Sequence, residues 1–309
     1  MSLDRLMKRI DEIHNPSVAG LDPKLEYIPR FIQDKFFVMK GRTLEAAADA
    51  ILAYNKALID ALYDIVPAIK PQAAYYEMYG WAGMRTLSET IRYAQKKGMF
   101  VITDGKRNDI GATMTAYAAA HLGTVEVDGI SQIPFGADAL TVNGYLGSDG
   151  ITPLLDICEK QDKGIFVLAK TSNPSSGELQ DQQINGTPIY SVMGDMCETW
   201  GKDQIGSYGY SAVGAVVGAT YPKQLAQLRE RLPHTMFLVP GYGAQGGGAQ
   251  GVAAAFDMQG RGAVVNSSRA ILCAWKKDPN CSETDFAGAA RREAIRMRDD
   301  ITSYLHSFT

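Results

Sequence analysis

Short runs of apolar, largely β-branched residues recur along the chain, with turn-forming or charged residues at their ends. Runs of this kind are typical of strands that are covered on both faces of a sheet. The spacing between successive runs leaves room for a crossover helix each time. We predict eight strands: Ser17–Leu21, Asp64–Ile69, Met99–Thr103, Asp138–Val142, Gly164–Ala169, Ser211–Val217, Thr235–Val239 and Ala263–Asn266.

Several segments between these runs carry the helical period of apolar residues, most clearly Leu44–Leu62. Helices that alternate with strands predict a parallel sheet. Eight such units in 309 residues favour closure into an α/β (β/α)8 TIM barrel over an open doubly wound sheet. We also predict helices at Leu3–Ile13 and Glu283–His306, and no linker. Residues 1–309 are therefore expected to form a single barrel domain with an N-terminal and a C-terminal helix.

Charge and hydropathy argue against several classes of protein. The formal net charge is −3 at pH 7, so no basic surface indicates a nucleic-acid partner. The sequence has no apolar run long enough to cross a membrane, and the N-terminal residues mix charges where a signal peptide needs an apolar run. We expect a soluble, cytoplasmic protein without a membrane partner.

The cysteines give no indication of a metal site. Cys158, Cys197, Cys273 and Cys281 show no CxxC spacing, and the chain has only four histidines. This pattern favours structural thiols over a zinc site or a redox pair.

The stretch VITDGKRNDIG, residues 101–111, begins as a buried strand and ends in a cluster of opposite charges. The carboxyl ends of barrel strands build the active site. Asp104 and Lys106 are two residues apart, so on an extended strand both face the barrel mouth, where Lys70 from the neighbouring strand can join them. One interpretation is an ordinary ion pair. The other is a catalytic network, which two lysines beside an acid favour because desolvated charges are costly.

Two further segments offer groups that could hold a phosphate. VPGYGAQGGG, residues 239–248, is a glycine-rich loop with bare backbone N–H groups and Gln245. In VVNSSRAI, residues 264–271, Arg269 could bind a phosphate with two hydrogen bonds and Ser268 could donate its backbone N–H. Loops after the seventh and eighth strands are the usual phosphate site of such barrels, so together they predict a phosphorylated ligand.

Several of these segments resemble one known family. DGKRNDIGAT, residues 104–113, is similar to the D-x-K-x-x-D-I-x-x-T signature of the orotidine 5′-phosphate decarboxylases. AGLDP (19–23), AIKPQAAYYE (68–77), AKTSNP (169–174), PGYGAQGGG and NSSRAI follow in the family's order. The resemblance spans roughly residues 15–275, and the longer, insertion-bearing branch of the family fits best.

The resemblance implies a lyase that converts orotidine 5′-phosphate to UMP, the last step of de novo pyrimidine nucleotide biosynthesis, without a cofactor. Lys70, Asp104 and Lys106 would form the charged network. Asp109 would join it from the other subunit of a homodimer. Lys106 would stabilise the C6 carbanion and then protonate it.

The resemblance also implies residues that bind the substrate. They are Asp22 for the ribose, Thr113 across the dimer interface, Ser172 for the pyrimidine edge (Thr171 or Asn173 could do the same), and Gln245, Ser268 and Arg269 for the 5′-phosphate.

Three other functions stay open. A magnesium-dependent sugar-phosphate decarboxylase would share Asp104, Lys106 and Asp109 but carries a metal-binding carboxylate where Lys70 stands. An aldolase could form a Schiff base on Lys70, Lys106 or Lys170. A nucleotide-binding protein without activity would bind UMP and turn nothing over.

Overall fold

Eight parallel strands close into a barrel in the computed structural model, which describes residues 2–243 and 248–305. The strands are β1 (Ser17–Leu21), β2 (Ala68–Pro71), β3 (Phe100–Arg107), β4 (Ala139–Val142), β5 (Gly164–Lys170), β6 (Val213–Val217), β7 (Phe237–Pro240) and β8 (Ala263–Ser267). Each strand pairs with the strands before and after it in the chain, and β8 pairs with β1. The predicted TIM barrel is confirmed.

The second strand begins later than its apolar run predicts. The N–H groups of Ile65 and Val66 donate to the carbonyl of Leu62 at 3.0 and 2.9 Å, so these two residues complete the end of the preceding helix. Pro67, which follows them, has no N–H to give to a strand ladder. Both side chains are buried, which explains why the sequence pattern alone assigns them to the strand.

Helices precede the first strand, connect successive strands and follow the last one. They are α1 (Ser2–Ile13), α2 (Arg30–Lys40), α3 (Leu44–Leu62), α4 (Ala74–Glu77), α5 (Gly80–Lys96), α6 (Gly111–His121), α7 (Thr152–Gln161), α8 (Ile189–Gly201), α9 (Pro222–Arg231), α10 (Ala249–Ala253), α11 (Arg269–Leu272), α12 (Ala274–Lys277) and α13 (Phe286–Thr302). Across residues 2–243 and 248–305, no helix is both long and apolar enough to cross a membrane.

The predicted helices agree with the structure to within a few residues. α3 has the predicted bounds, and the hydroxyl of its N-cap Thr43 accepts a hydrogen bond from the Ala46 N–H at 3.1 Å. The predicted last helix consists of a 3₁₀ turn, Glu283–Asp285, followed by α13. His306, its predicted end, lies outside the described residues.

Apolar side chains fill the amino-terminal half of the barrel interior. The strands contribute inward residues at alternate positions, as a closed barrel requires: Val18, Ala68, Phe100, Ile102, Ala139, Phe166 and Val264. Four side chains of α1 belong to the same buried cluster: Leu3, Leu6, Met7 and Ile10. The helix therefore closes the amino-terminal end of the barrel, and space for a ligand lies at the carboxyl ends of the strands.

Two connections carry short antiparallel hairpins. One, Val125–Val127 with Ile130–Gln132, follows α6. The other, Gln183–Ile184 with Thr187–Pro188, lies in the long polar connection after β5. Neither hairpin adds a strand to the barrel.

The closing role of α1 can be tested by removing one buried side chain. We expect Leu6→Ala to lower the free energy of unfolding by about 2–5 kcal/mol, because the lost contacts leave a cavity that the barrel floor cannot fill. Urea denaturation measures this change. Lys8→Ala on the exposed face of the same helix should change stability by less than about 0.5 kcal/mol. Equal effects of both substitutions would contradict the packing described here.

Candidate active site

The carboxylate of Asp104 lies at the centre of the barrel mouth and accepts four hydrogen bonds. Lys70 Nζ and Gln72 Nε2 donate to its Oδ2 at 2.6 and 3.0 Å. Lys106 Nζ and the hydroxyl of Thr141 donate to its Oδ1 at 2.6 and 2.8 Å. Strands β2, β3 and β4 thus converge on one carboxylate. The predicted group of Lys70, Asp104 and Lys106 is present in the structure.

Electrostatics keep this group charged. Burial works against ionisation of Asp104, but Lys70 and Lys106 outweigh it and hold the pKa of Asp104 well below its usual range. Burial likewise opposes the charged form of Lys70, yet Asp104 and Asp22 together raise the pKa of Lys70 above its ordinary value. Asp104 is therefore a carboxylate, and Lys70 an ammonium, throughout the neutral pH range.

The backbone at Lys106 departs from the extended strand on which the sequence prediction relied. Lys106 has φ +47°, in the left-handed region that costs a lysine about 1–2 kcal/mol. The register between β3 and β4 shifts over the same residues, between Thr103 and Arg107. Asp104 and Lys106 still meet, but through a bulge rather than through simple alternation. Nearly half of the Lys106 side chain (46%) is exposed, whereas that of Lys70 (5%) is buried.

A cavity of about 360 Å³ borders Asp104. We call it the apolar chamber, because Leu168, Val216 and Leu238 form its floor. Lys70, Asp104, Lys106 and Thr141 line it together with the loop residues Thr171, Ser172 and Asn173.

A second cavity, of about 330 Å³, shares Lys70, Asp104 and Pro240 with the first. We call it the polar chamber. Its lining includes Asp22, Asn266, Ser268, Arg269, Lys277 and the segment from Gly241 to Gly243. The two chambers are thus contiguous at Lys70 and Asp104, and Lys106 lines the apolar one.

The polar chamber is lined by the cations Lys70, Arg269 and Lys277 and by the carboxyl group of Asp22, whose pKa is shifted. Burial raises the pKa of Asp22 above its usual value, and the charge of Lys70 offsets this only in part. Among the described residues, the buried Oδ1 of Asp22 has no hydrogen-bond partner.

Gly20 allows the first strand to lie close to the loop after the eighth. A Cβ at this position would collide with the hydroxyl of Ser268, so the first strand must carry glycine here.

A larger groove, of about 610 Å³, lies elsewhere on the surface, lined by residues such as Tyr210, Arg229 and Met258. It contains none of the charged residues at the strand ends. Arg229, its most buried charge, donates to the carbonyl of Gly262 at 3.1 Å and stacks on Phe237, which is a structural role. Volume alone therefore does not locate the chemistry, and we place the site at the barrel mouth.

Two predicted site residues, Asp109 and Thr113, lie outside this arrangement, and a third falls in a part of the chain that the structure does not describe. Oδ1 of Asp109 accepts a hydrogen bond from the neighbouring Ile110 N–H at 2.8 Å, and Asp109 lines neither chamber of its own chain. Thr113 is exposed on α6. Gln245 lies outside the described residues.

Lys170, which also stands at a strand end, is not part of the site. Its side chain is fully buried and lines neither chamber. Its Nζ donates to Asp181 Oδ1 at 2.7 Å and to Ser176 Oγ at 3.3 Å, and lies 4.6 Å from the ring centre of Tyr221. Lys170 thus anchors the connection after β5 to the barrel.

Sequence reasoning missed Gln72, Thr141 and Asn266. Gln72 could have been found, since it follows Lys70 by two positions and so faces the same way at the strand end. Thr141 and Asn266 lie within apolar runs that predict buried strands, and nothing in the pattern separates them from structural residues. Within the described part of the chain, no group of three or more His, Cys, Asp or Glu side chains is placed to hold a metal ion.

Comparison with known proteins adds independent information. The family described as "Orotidine 5′-phosphate decarboxylase / HUMPS family" matches residues 42–280. The orotidine 5′-phosphate decarboxylase of Rhodopirellula baltica is 46% identical over 286 residues, which cover 92% of this chain and 93% of the relative. The orotidine 5′-phosphate decarboxylase of Clostridium tetani is 40% identical over 308 residues, which cover 99% of this chain and 100% of the relative.

Among solved structures, Leishmania donovani OMP decarboxylase superposes with a TM-score of 0.74 at 29% identity and 98% coverage of both chains. The sequence match, the closed barrel and the full-length relatives agree, and the chain belongs to the orotidine 5′-phosphate decarboxylase / HUMPS family.

Proposed function

We propose that this protein decarboxylates orotidine 5′-phosphate to UMP, the last step of de novo pyrimidine nucleotide biosynthesis. One observation supports the proposal most directly. The buried carboxylate of Asp104 lies between two ammonium groups, 2.6 Å from each, at the junction of an apolar and a cation-lined chamber. The curated relatives from R. baltica and C. tetani are named for the same activity.

Lys106 is the proposed catalytic residue. Loss of CO₂ breaks the bond to C6 and leaves the electron pair in an sp² orbital that the ring delocalises poorly. A nearby ammonium stabilises this charge electrostatically and then transfers a proton to C6, and the amine regains a proton from water. Lys106 fits this role because its side chain is the more exposed of the two lysines and lines the apolar chamber.

Asp104 and Lys70 complete the proposed catalytic group. Asp104 fixes the Lys106 ammonium, and its ionised carboxylate also crowds the departing carboxylate of the substrate. The floor formed by Leu168, Val216 and Leu238 keeps water from the bond that breaks. No cofactor is required in this scheme.

The two chambers suggest how the nucleotide is oriented. The pyrimidine would lie in the apolar chamber and the phosphate in the polar one. Thr171 and Asn173 bond to each other at 2.6 Å, which favours Ser172 as the contact to the pyrimidine edge. The remaining proposed contacts are Asp22 and Lys70 to the ribose, and Gln245, Ser268 and Arg269 to the 5′-phosphate.

A homodimer would complete the site. Asp109 and Thr113 lie away from both chambers of their own chain, as residues that serve a neighbouring site would. Ile110 and Tyr117 on the same stretch expose 55% and 36% of their surface, which a subunit interface would cover.

We also propose a cytoplasmic location without nucleic-acid or membrane partners. Four unpaired cysteines suit a reducing compartment.

The alternatives differ in ways that experiments can detect. A Schiff-base aldolase needs a neutral lysine as nucleophile, but the raised pKa of Lys70 keeps that amine protonated. Trapping with borohydride would reveal such an intermediate. A magnesium-dependent decarboxylase would lose its activity with EDTA, and a binding protein would bind UMP without turnover.

The activity can be tested directly. Mixing the purified protein with orotidine 5′-phosphate should lower the ultraviolet absorbance as UMP forms, at the same rate with and without EDTA. Loss of activity on chelation that magnesium restores would favour the sugar-phosphate branch instead. If the protein binds UMP but does not turn over orotidine 5′-phosphate, the remaining interpretation is a nucleotide-binding protein without activity.

Replacing the proposed acid should affect rate far more than binding. We expect Lys106→Ala to lower kcat by at least about 10²–10⁴-fold, since both the proton donor and the charge opposite C6 are lost. The affinity for UMP, measured by calorimetry, should stay within about tenfold of the unmodified protein. A variant with near-normal kcat would remove Lys106 from this role.

The shared site predicts complementation between inactive subunits. Lys106→Ala and Asp109→Asn homodimers should both be nearly inactive. After equal mixing and random exchange, half of the dimers are hybrids, and one of the two sites in each hybrid is fully native. Activity should recover to about a quarter of the unmodified level. If exchange is demonstrated and no activity returns, both residues serve the same chain's site.

A further inference from the structure

Thr141 lies opposite the bulge that contains Asp104 and Lys106. The register pairs Thr103 with Leu140 and then Arg107 with Val142, so the three residues from 104 to 106 face the single residue Thr141. Its side chain is buried, with 1% of the residue exposed. Its hydroxyl therefore occupies the place where the regular ladder between β3 and β4 is interrupted.

The Thr141 hydroxyl makes two hydrogen bonds whose directions are fixed by chemistry. The Lys106 backbone N–H lies 3.0 Å from Thr141 Oγ1 and can only donate. The hydroxyl must then use its single hydrogen for Asp104 Oδ1, 2.8 Å away. This carboxylate is ionised, because Lys70 and Lys106 outweigh burial and keep its pKa well below the usual range.

Together with the Lys106–Asp104 ion pair, these two bonds hold Lys106 at its backbone and at its ammonium group. Its backbone N–H is held by Thr141, and its Nζ is held at 2.6 Å by the same Oδ1 of Asp104 that Thr141 contacts. The left-handed backbone of Lys106, with φ +47°, is unfavourable for a lysine and persists only where its surroundings stabilise it. A hydroxyl in place of the missing ladder acceptor provides such stabilisation.

We propose that Thr141 is a positioning residue, which holds the strained backbone of Lys106 and the carboxylate of Asp104 in register so that the Lys106 ammonium points into the apolar chamber. This inference rests on the proposed function only for its kinetic consequence. The contacts themselves can be measured separately.

Two substitutions separate the hydroxyl from the volume of the side chain. Thr141→Val keeps the shape of the residue and removes both hydrogen bonds, whereas Thr141→Ser keeps the hydroxyl. Thr103→Val is a matched control, since Thr103 is also fully buried and its hydroxyl has no partner among the described residues. Thr141→Ala serves as a second variant without a hydroxyl if the valine variant does not fold.

We expect kcat to fall in the variant that lacks the Thr141 hydroxyl and to be retained in the variant that keeps it. We expect Thr141→Val to lower kcat for orotidine 5′-phosphate by about 10–10²-fold, the range expected when a catalytic group shifts by a fraction of an ångström to one ångström. KM and the affinity for UMP should change by less than about threefold, and Thr141→Ser should return kcat to within about threefold of the unmodified protein. Thr103→Val should leave both parameters unchanged.

Amide hydrogen exchange at Lys106, followed by NMR, tests the contact without reference to activity. Protection of this amide should fall at least about tenfold in Thr141→Val and persist in Thr141→Ser and Thr103→Val. Unchanged protection and unchanged kcat in Thr141→Val would overturn the proposal, as would equal losses in all three variants. If the unmodified protein does not decarboxylate the nucleotide, the proposed function fails, and amide exchange still decides whether Thr141 holds Lys106.

Discussion

The double ion pair at Asp104 is the interaction on which the site depends. A buried carboxylate with two ammonium partners is tolerated because the charges compensate one another, and removal of one partner leaves an uncompensated charge in a dry environment. Lys70, Asp104 and Lys106 therefore act as one unit whose substitutions are not additive. The fold meets this constraint by filling the amino-terminal half of the barrel with apolar side chains. It places every charge of the group at the carboxyl ends of the adjacent strands β2 and β3.

Much of the fold could be predicted because barrel strands are covered on both faces and so appear as uninterrupted apolar runs. The prediction was wrong at the start of β2, where Ile65 and Val66 are buried at a helix end rather than in a strand. Burial determines the hydrophobic pattern, whereas backbone hydrogen bonding determines the element. Pro67 was the one local signal of the difference.

The site could be predicted in part. Lys70, Asp104 and Lys106 follow from their positions at adjacent strand ends, but the left-handed backbone of Lys106 does not, since lysine has no preference for that conformation. Thr141 was missed because threonine is β-branched and is therefore common inside strands. Its presence there gives no sign that its hydroxyl contacts the site. Asp109 and Thr113 were identified by resemblance alone, because a contact between subunits leaves no periodic pattern in one chain. Their role across an interface stays a prediction.

The three lysines at the strand ends differ greatly in their contact with water. Lys70 and Lys170 are enclosed, the first against carboxylates and the second against Asp181 and two tyrosine rings, while nearly half of the Lys106 side chain is open to the cavity. An acylating reagent small enough to enter the barrel mouth would thus discriminate among them by access. At a pH high enough to remove a proton from its ammonium, Lys106 would be labelled within the site. Its neighbours would be shielded by the fold, and a nucleotide in the two chambers would protect it. Because the fold buries the other two lysines, Lys106 is the one of the three that a reagent entering the barrel mouth can modify selectively.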